Sequence, residues 1–284
     1  MTTLSQYEVD VADLLHDPNQ LIWSLPQLDR YINEARRQVA MDTGCLRSLQ
    51  VAYLTAGQEV YTYGQVMGGV VTVKGSGYVS PSVAFSGGGG SGVAATLGQS
   101  GGAVNAFNFS SFGSGYTTAP AATIADAGPG TGAKVVVGVA NVNTYDILGI
   151  NIFWGSERYA LLWQPFSVFS ARLRLWIASA YQQRPAMWAV YGHTQFYVGP
   201  PPDQSYMVEL DTVVLPAPIV SGDYTTNDPI PIVMQDPIKF YAAHLAKLNN
   251  QSFGEAEMHR ASYERRLKEC ESAYVRRIPN PYEA

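Results

Sequence analysis

Four histidines (His16, His193, His244, His259) and a run of aspartates (Asp203, Asp211, Asp223, Asp228, Asp236) are the residues of this 284-residue chain best suited to hold a metal or move a proton. The histidines fall in four different stretches, and none forms the i, i+4 pair of a metalloprotease helix. The aspartates are spaced irregularly, which fits turns and caps better than a ligand set, and Asp236 before Pro237 reads as a helix N-cap. Calcium held between loops is the metal reading that their number leaves open. Gly87, Gly89 and Gly92 satisfy G-x-G-x-x-G, but no strand-turn-helix unit surrounds them. The run Gly130-Thr131-Gly132-Ala133-Lys134 lacks the upstream glycine spacing and the following Ser or Thr of a phosphate loop. Cys45 and Cys270 have neither a metal-type spacing nor a nucleophile context and read as free thiols in a reducing cytoplasm. The residues therefore point to no catalysis, no cofactor and no metal centre.

The elements that would position any site fall into four zones. Val9, Leu14 and Leu15 suggest a short helix ending before Pro18. A second helix opens at Ser24 with Pro26 in its first turn. It carries Leu28, Ile32, Ala35 and Val39 at helical spacing, sets Asp29, Arg30, Glu34, Arg36 and Arg37 elsewhere around it, and stops at Gly44. From Leu49 the period changes, and two short strands flank Ala56-Gly57. Between Gly68 and Val142 lie 18 of the 27 glycines and only three charged residues, Lys74, Asp126 and Lys134, so this zone cannot be ordinary globular surface.

That zone is a repeat. Gly75-Ser76-Gly77-Tyr78 recurs after 38 residues as Gly113-Ser114-Gly115-Tyr116, and the Gly-Ser/Thr-Gly of 90–92 recurs at 130–132. Each unit offers a Gly turn, a Tyr anchor, a Pro, a short strand, another Gly turn and a second strand, which predicts a small all-β domain of two similar halves. Beyond Asn143 ordinary sequence returns. Strands are expected at 143–149 and 150–154, and a helix over 165–180 packing Phe166, Phe169, Leu173 and Trp176. An antiparallel meander comes next, turning at Gly192 and at 199–202. After a polar loop with Asp223 and Asp228 come a helix from Pro237 with Phe240, Tyr241, Leu245 and Leu248 on one side, and a charged helix, 255–277, with Met258, Tyr263 and Leu267 as its seam.

Charged residues make up 14% of the chain against about 25% in ordinary soluble domains, so much surface is expected to lie against other subunits. The net charge of -5 gives no electrostatic footprint for nucleic acid, though it suits a conduit through which DNA slides. No stretch approaches the ~20 apolar residues of a membrane span, and the acidic N-terminus lacks an apolar signal core. Trp188, Tyr191, Phe196 and Tyr197 read either as a contact surface or, by their alternation, as core. Arg265, Arg266, Arg276 and Arg277 could dock an acidic partner or, interleaved with Glu264, Glu269 and Glu271, form a solvated face.

Three stretches carry a family likeness. Trp23, Leu28, Ile32, Asn33 and Ala35 follow the acidic VADLLHDP; Pro185, Trp188, Gly192, Phe196 or Tyr197, Pro200 and Pro202 occupy the middle; Asp236, Pro237, Tyr241, Ala242 and Ala243 precede the long charged helix. In order and spacing the chain resembles the head-to-tail adaptor (head completion, connector) proteins of tailed bacteriophages over 1–66 and 143–284. The GSGY units resemble a module of phage structural proteins. The resemblance implies an α+β fold. A helical adaptor core, made of the N-terminal and two C-terminal helices with the β-meander, is interrupted at 67–142 by the Gly-rich domain and ends in an extended tail at 278–284. It also implies a structural virion protein, assembled in the host cytoplasm into a ring of twelve copies beneath the portal. DNA passes through the ring, and nozzle, tail tube or fibre proteins meet its other side. Portal contact would fall to Arg265, Arg266, Arg276, Arg277, Ile278, Pro279, Asn280, Pro281 and Tyr282. Gly75, Gly77, Tyr78, Gly113, Gly115 and Tyr116 would anchor an outward-projecting insert. A nozzle or tail-terminator subunit, and a carbohydrate- or host-surface-binding virion protein, are the alternatives; the insert's single acid, Asp126, argues against sugar cleavage there.

Overall fold

The computed structural model describes residues 2–173 and 181–275, and the chain divides into two units, Met1–Arg47 with Val214–Ala284 and Ser48–Val213. The first is helical: α1 (Leu4–Leu14) and α2 (Leu25–Thr43) pack with α4 (Asp236–Asn249) and α5 (Phe253–Val275), while α3 (Phe166–Leu173) lies in the second unit. The starts of α1 and α2 are built alike. Gln6 Oε1 accepts the Thr3 N–H at 3.0 Å and Gln27 Oε1 accepts the Ser24 N–H at 3.1 Å, the return bond of a capping box. Gly44 ends α2 in the left-handed conformation at φ 58°.

Leu28, Ile32, Ala35 and Val39 of α2 enter a core with Leu4, Tyr7, Val11, Trp23, Ile238, Ala242, Ala243 and Tyr263. The buried face is wider than these apolar positions, because Asp29 and Arg36 lie on it too. The sequence pattern puts Arg36 on the polar side of α2 and Asp228 in a polar loop. Instead they form a fork buried to 1% and 0% exposure, with Nε to Oδ2 at 2.9 Å and Nη2 to Oδ1 at 3.0 Å. Arg36 follows Ile32 by four residues and precedes Val39 by three, so its Cβ must point inward. Further bonds surround the fork: Arg36 Nη1 donates to Asn33 Oδ1 and the Ala217 carbonyl, and Tyr7 Oη and the Ile230 N–H donate to Asp228.

Other details of this unit depart from the pattern. Asp236 is the first residue of α4, not its cap; Gln235 holds the cap position, and Asp236 pairs with Lys239 at 2.8 Å. The buried seam of α4 is Ile238, Ala242, Ala243 and Ala246, with Leu248 exposed, because small side chains let α2 and α5 come close. On α5 Met258 is exposed, and among its described side chains Ala256 and Tyr263 are buried. Val9 of α1 is exposed likewise.

The second unit holds two four-stranded sheets. One has the order β1 (Arg47–Leu54), β14 (Tyr206–Val214), β9 (Thr144–Trp154), β10 (Glu157–Ala160). The other has β11 (Leu162–Trp163), β12 (Met187–Tyr191), β13 (Gln195–Gly199), β2 (Val60–Thr62). Leu54, Tyr61, Ile150, Ile152, Trp188, Phe196, Val208 and Leu210 form their shared core. The expected meander is therefore split. β12 and β13 form a hairpin, but β14 leaves it to lie between β1 and β9 in the other sheet, and β1 and β2 part in the same way. Of the helix expected over 165–180, the described part is α3, whose Phe169 packs on Ala189; Trp176 lies outside the described residues. The boundary between units at 47/48 and 213/214 groups these sheets with the Gly-rich zone rather than with the helices.

The Gly-rich zone contributes β3 (Val66–Val73) paired with β8 (Lys134–Val139), β4 (Pro81–Ser86) with β7 (Ala121–Asp126), and β5 (Ser91–Ser100) with β6 (Ala103–Ser114). It has a core of its own around Tyr116, Val135, Val137, Phe107 and Ile124. Its stem lies on β1 at a glycine pair. Gly68 and Gly138 face each other across β3 and β8, and a Cβ on them would stand 2.4 Å from the Tyr53 carbonyl oxygen and 2.3 Å from Ala52 Cα.

Removing one side of the buried fork strands the other. Asp228→Ala is expected to destabilise the helical unit by about 3–5 kcal/mol in equilibrium denaturation followed by Trp23 fluorescence, and the double replacement Arg36→Met with Asp228→Leu to recover most of that loss.

Candidate assembly surfaces

The Gly-rich repeats interlock. Gly75-Ser76-Gly77-Tyr78 of the first half meets Gly130–Ala133 of the second: Ser76 bridges Thr131, and Tyr78 Oη accepts the Ala133 N–H at 3.0 Å. Gly113-Ser114-Gly115-Tyr116 of the second half meets Gly90–Val93 of the first, with Ser114 opposite Ser91. Gly75 and Gly113 share φ 63°, and a Cβ on either would strike backbone at 2.5 Å. Tyr78 and Tyr116 are buried, each lying so close to a glycine, Gly130 or Gly90, that a Cβ there would come within 2.6 Å of the ring. The six anchor residues thus sit at two equivalent crossings, each joining one half to the other.

The equivalence breaks at one place. In one half Gly88 O accepts the N–H groups of Thr117 and Thr118 at 2.9 and 3.3 Å. In the other half the Asp126 carboxylate does this work, taking N–H bonds from Val79, Ser80, Gly128 and Gly130. These donors hold its carboxyl below the usual range against the opposing cost of desolvation.

The residues that might have carried chemistry are committed elsewhere. Asp223 accepts from Thr225 and Thr226, which takes its pKa down to about 2, and Asp203 accepts from Tyr206 Oη at 2.7 Å. His193 stacks on Tyr145, and His244 Nδ1 meets the Ala256 carbonyl at 2.8 Å. His16 and His244 do come within electrostatic reach of His259 beside Lys247, although the three lie in separate elements; burial first, then Lys247, lowers the His259 pKa. Burial pushes both thiols up, the opposite of what a nucleophile needs. Gly98, Ser100 and Gly102 formally match G-x-S-x-G. Ser100 pairs with Ala103 at the end of the β5–β6 hairpin, where no helix follows, so it is not a nucleophile elbow. Among the described residues no group of three or more His, Cys, Asp or Glu could hold a metal, and no helix is long and apolar enough to cross a membrane.

The surface is marked instead by apolar groups. Trp154 and Tyr159 flank the Arg184 guanidinium at 5.4 and 5.0 Å from their ring centres, and Leu162 and Trp163 lie exposed on β11. In the helical unit Leu21 is 85% exposed beside an exposed Ile22, on a loop whose three N–H groups, from Leu21 to Trp23, are clamped by the Asp17 carboxylate. Of the four aromatics read two ways, Trp188 and Phe196 are core, Tyr197 is half-buried and Tyr191 is exposed. Arg265 is exposed on α5, while Arg266 pairs with Glu269 at 3.1 Å and lies 3.6 Å from Asp236. Arg276, Arg277, Ile278, Pro279, Asn280, Pro281 and Tyr282 lie outside the described residues, as does the 278–284 tail.

The SU10 adaptor protein family matches residues 112–282, from the last part of β6 through the strands β9 to β14 of the two sheets, α4 and α5, with β1 and β2 outside it. The chain belongs to this family. It is a structural adaptor protein of phage type, which agrees with a molecule whose polar groups are spent on architecture. The resemblance noted in the middle and at the end of the sequence falls within the match, whereas α1, α2 and the first Gly-rich half fall outside it. No curated protein matches the chain.

The pKa of Asp126 fixes a pH signature for the interlock. Its folded-state value is depressed, so its contribution is full above the unfolded carboxylate value near ~4 and fades as pH falls below that. Asp126→Asn is expected to speed hydrogen exchange at amides 79, 80, 128 and 130 at pH 7, and its melting-temperature deficit against the parent chain to narrow below about pH 4.

Proposed function

We propose that this protein is the head-to-tail adaptor of a tailed phage particle, closing into a ring of twelve copies beneath the portal and joining the capsid vertex to the tail. DNA passes through the ring without sequence-specific contacts, in keeping with the net charge of -5. The observation that carries this reading is the family match through α5 to residue 282. Support comes from the surface. A closed ring needs two different faces on each subunit, and the chain exposes an aromatic patch around Arg184 in one unit and the Leu21-Ile22 loop in the other.

In this reading α5 and the residues beyond it face the portal. Arg265 is an exposed cation there, and Arg276, Arg277 and Ile278 to Tyr282 continue the contact. The zone 67–142 acts as an inserted module turned outward toward nozzle, tube or fibre proteins. Its own core and its glycine-seated stem let it stand as a rigid projection, and its scarcity of charge suits a surface covered by a neighbour.

Native mass spectrometry of the chain, alone and with the portal protein of the same genome, tests the assembly. A monomer that becomes a stoichiometric ring on the portal is expected; a small oligomer indifferent to the portal would overturn the reading. Deleting Ile278–Ala284 should weaken portal binding about tenfold or more, ~1.4 kcal/mol, and leave the melting temperature unchanged.

A further inference from the structure

Two acids meet in the helical unit with no base between them. Glu8 on α1 and Asp29 on α2 are 5% and 4% exposed, and their carboxyls lie close enough to share a hydrogen bond once one of them carries a proton. No N–H or hydroxyl reaches Oε1 of Glu8 or either carboxylate oxygen of Asp29. A hydrogen bond between two carboxyls needs a proton on one of them, and two bare carboxylates in a dry seam repel.

The neighbouring charges are already committed. On α1, Tyr7 donates to Asp228, and Asp10 stands 4.0 Å from Lys239. On α2, Arg36 is held by Asp228, and Arg30 and Arg37 are exposed to solvent. On α4, which also packs on α1, Lys239 is bound to Asp236 at 2.8 Å. Arg36 and Lys239 are thus held by other carboxylates, Arg30 and Arg37 lie in solvent, and no cation donates to Glu8 Oε1 or to Asp29.

We propose that Glu8 and Asp29 share a single proton, and that this proton seats α1 on α2 as a pH-sensitive latch. Losing it puts two negative charges into the seam, and α1 lifts, taking with it the Tyr7 bond to Asp228. Burial, then the bond to Asp29 and its charge, raise Glu8 from 4.5 to about 7. Because the folded-state value lies above the unfolded one, the latch contributes fully below about pH 4.5. It weakens as pH rises towards 7 and does not return above. The change falls at near-neutral pH, where an adaptor that must hold and later rearrange would feel it.

Glu8→Gln supplies a permanent donor to Asp29 and so locks the latch. Melting curves of the full chain and this variant from pH 5 to 8.5 are compared as a difference, which cancels the histidines. The parent is expected to lose ground steadily up to about pH 7, by roughly a hundredfold in its folding equilibrium. Amides 4–14 should lose protection from exchange in the parent and keep it in the variant. A difference that stays flat with pH, or a Glu8 carboxyl carbon that titrates near 4.5 by NMR, overturns the proposal. Should Glu8→Gln fail to fold, Asp29→Asn locks the same bond from the other helix and is read in the same way.

Discussion

The helical unit is organised around one requirement: a guanidinium taken out of water must find hydrogen-bond acceptors inside the protein. Arg36 meets it with a two-point fork to Asp228 and with Asn33 and the Ala217 carbonyl. Asp228 in turn takes Tyr7 of α1 and the Ile230 N–H, and Asn33 closes the loop through both polar atoms of the Ile219 backbone. One ion pair therefore fixes the position of α1, the rotation of α2 and the path of the 217–230 segment. Such a pair adds little net stability over an apolar substitute, but it tolerates few arrangements of the surrounding chain.

The second unit answers a different constraint, close approach of backbone to backbone. Where the Gly68–Gly138 pair lies on β1 there is no room for a methyl group, and at Gly75 and Gly113 of the two GSGY crossings a Cβ would strike neighbouring backbone. The repeats gain rigidity by exchange: each half's Gly-Tyr motif is completed by the other half, so neither is complete alone. Asp126 shows how such symmetry is repaired when the loops differ, a side-chain carboxylate replacing the carbonyl of Gly88.

These two solutions bear on what the protein does. The charges placed in the interior serve architecture, and the chain leaves apolar and aromatic residues outside, notably Trp163 and Leu21. That distribution is costly for a solitary soluble molecule and reasonable for a subunit whose faces are covered in an assembly. It agrees with the family relationship to a structural adaptor.

Much of this was legible in the residues themselves. Ser24, Pro26 and Gly44 set the ends of α2, the glycine motifs declared a two-fold repeat, and alternation marked the strands, because capping, left-handed turns and period-two burial are local properties. The family likeness lay in the order of such local signals. Local signals carry no record of partners. Alternation says that β14 is a strand but not that it leaves its neighbour β13 for the opposite sheet, and the charge pattern of α2 sets Arg36 among its polar residues, with no sign of Asp228, 192 residues away. Nor could the two GSGY motifs show that each is completed by the other half. Those choices depend on which buried surfaces and polar groups find one another across the folded chain, and only the tertiary structure decides them.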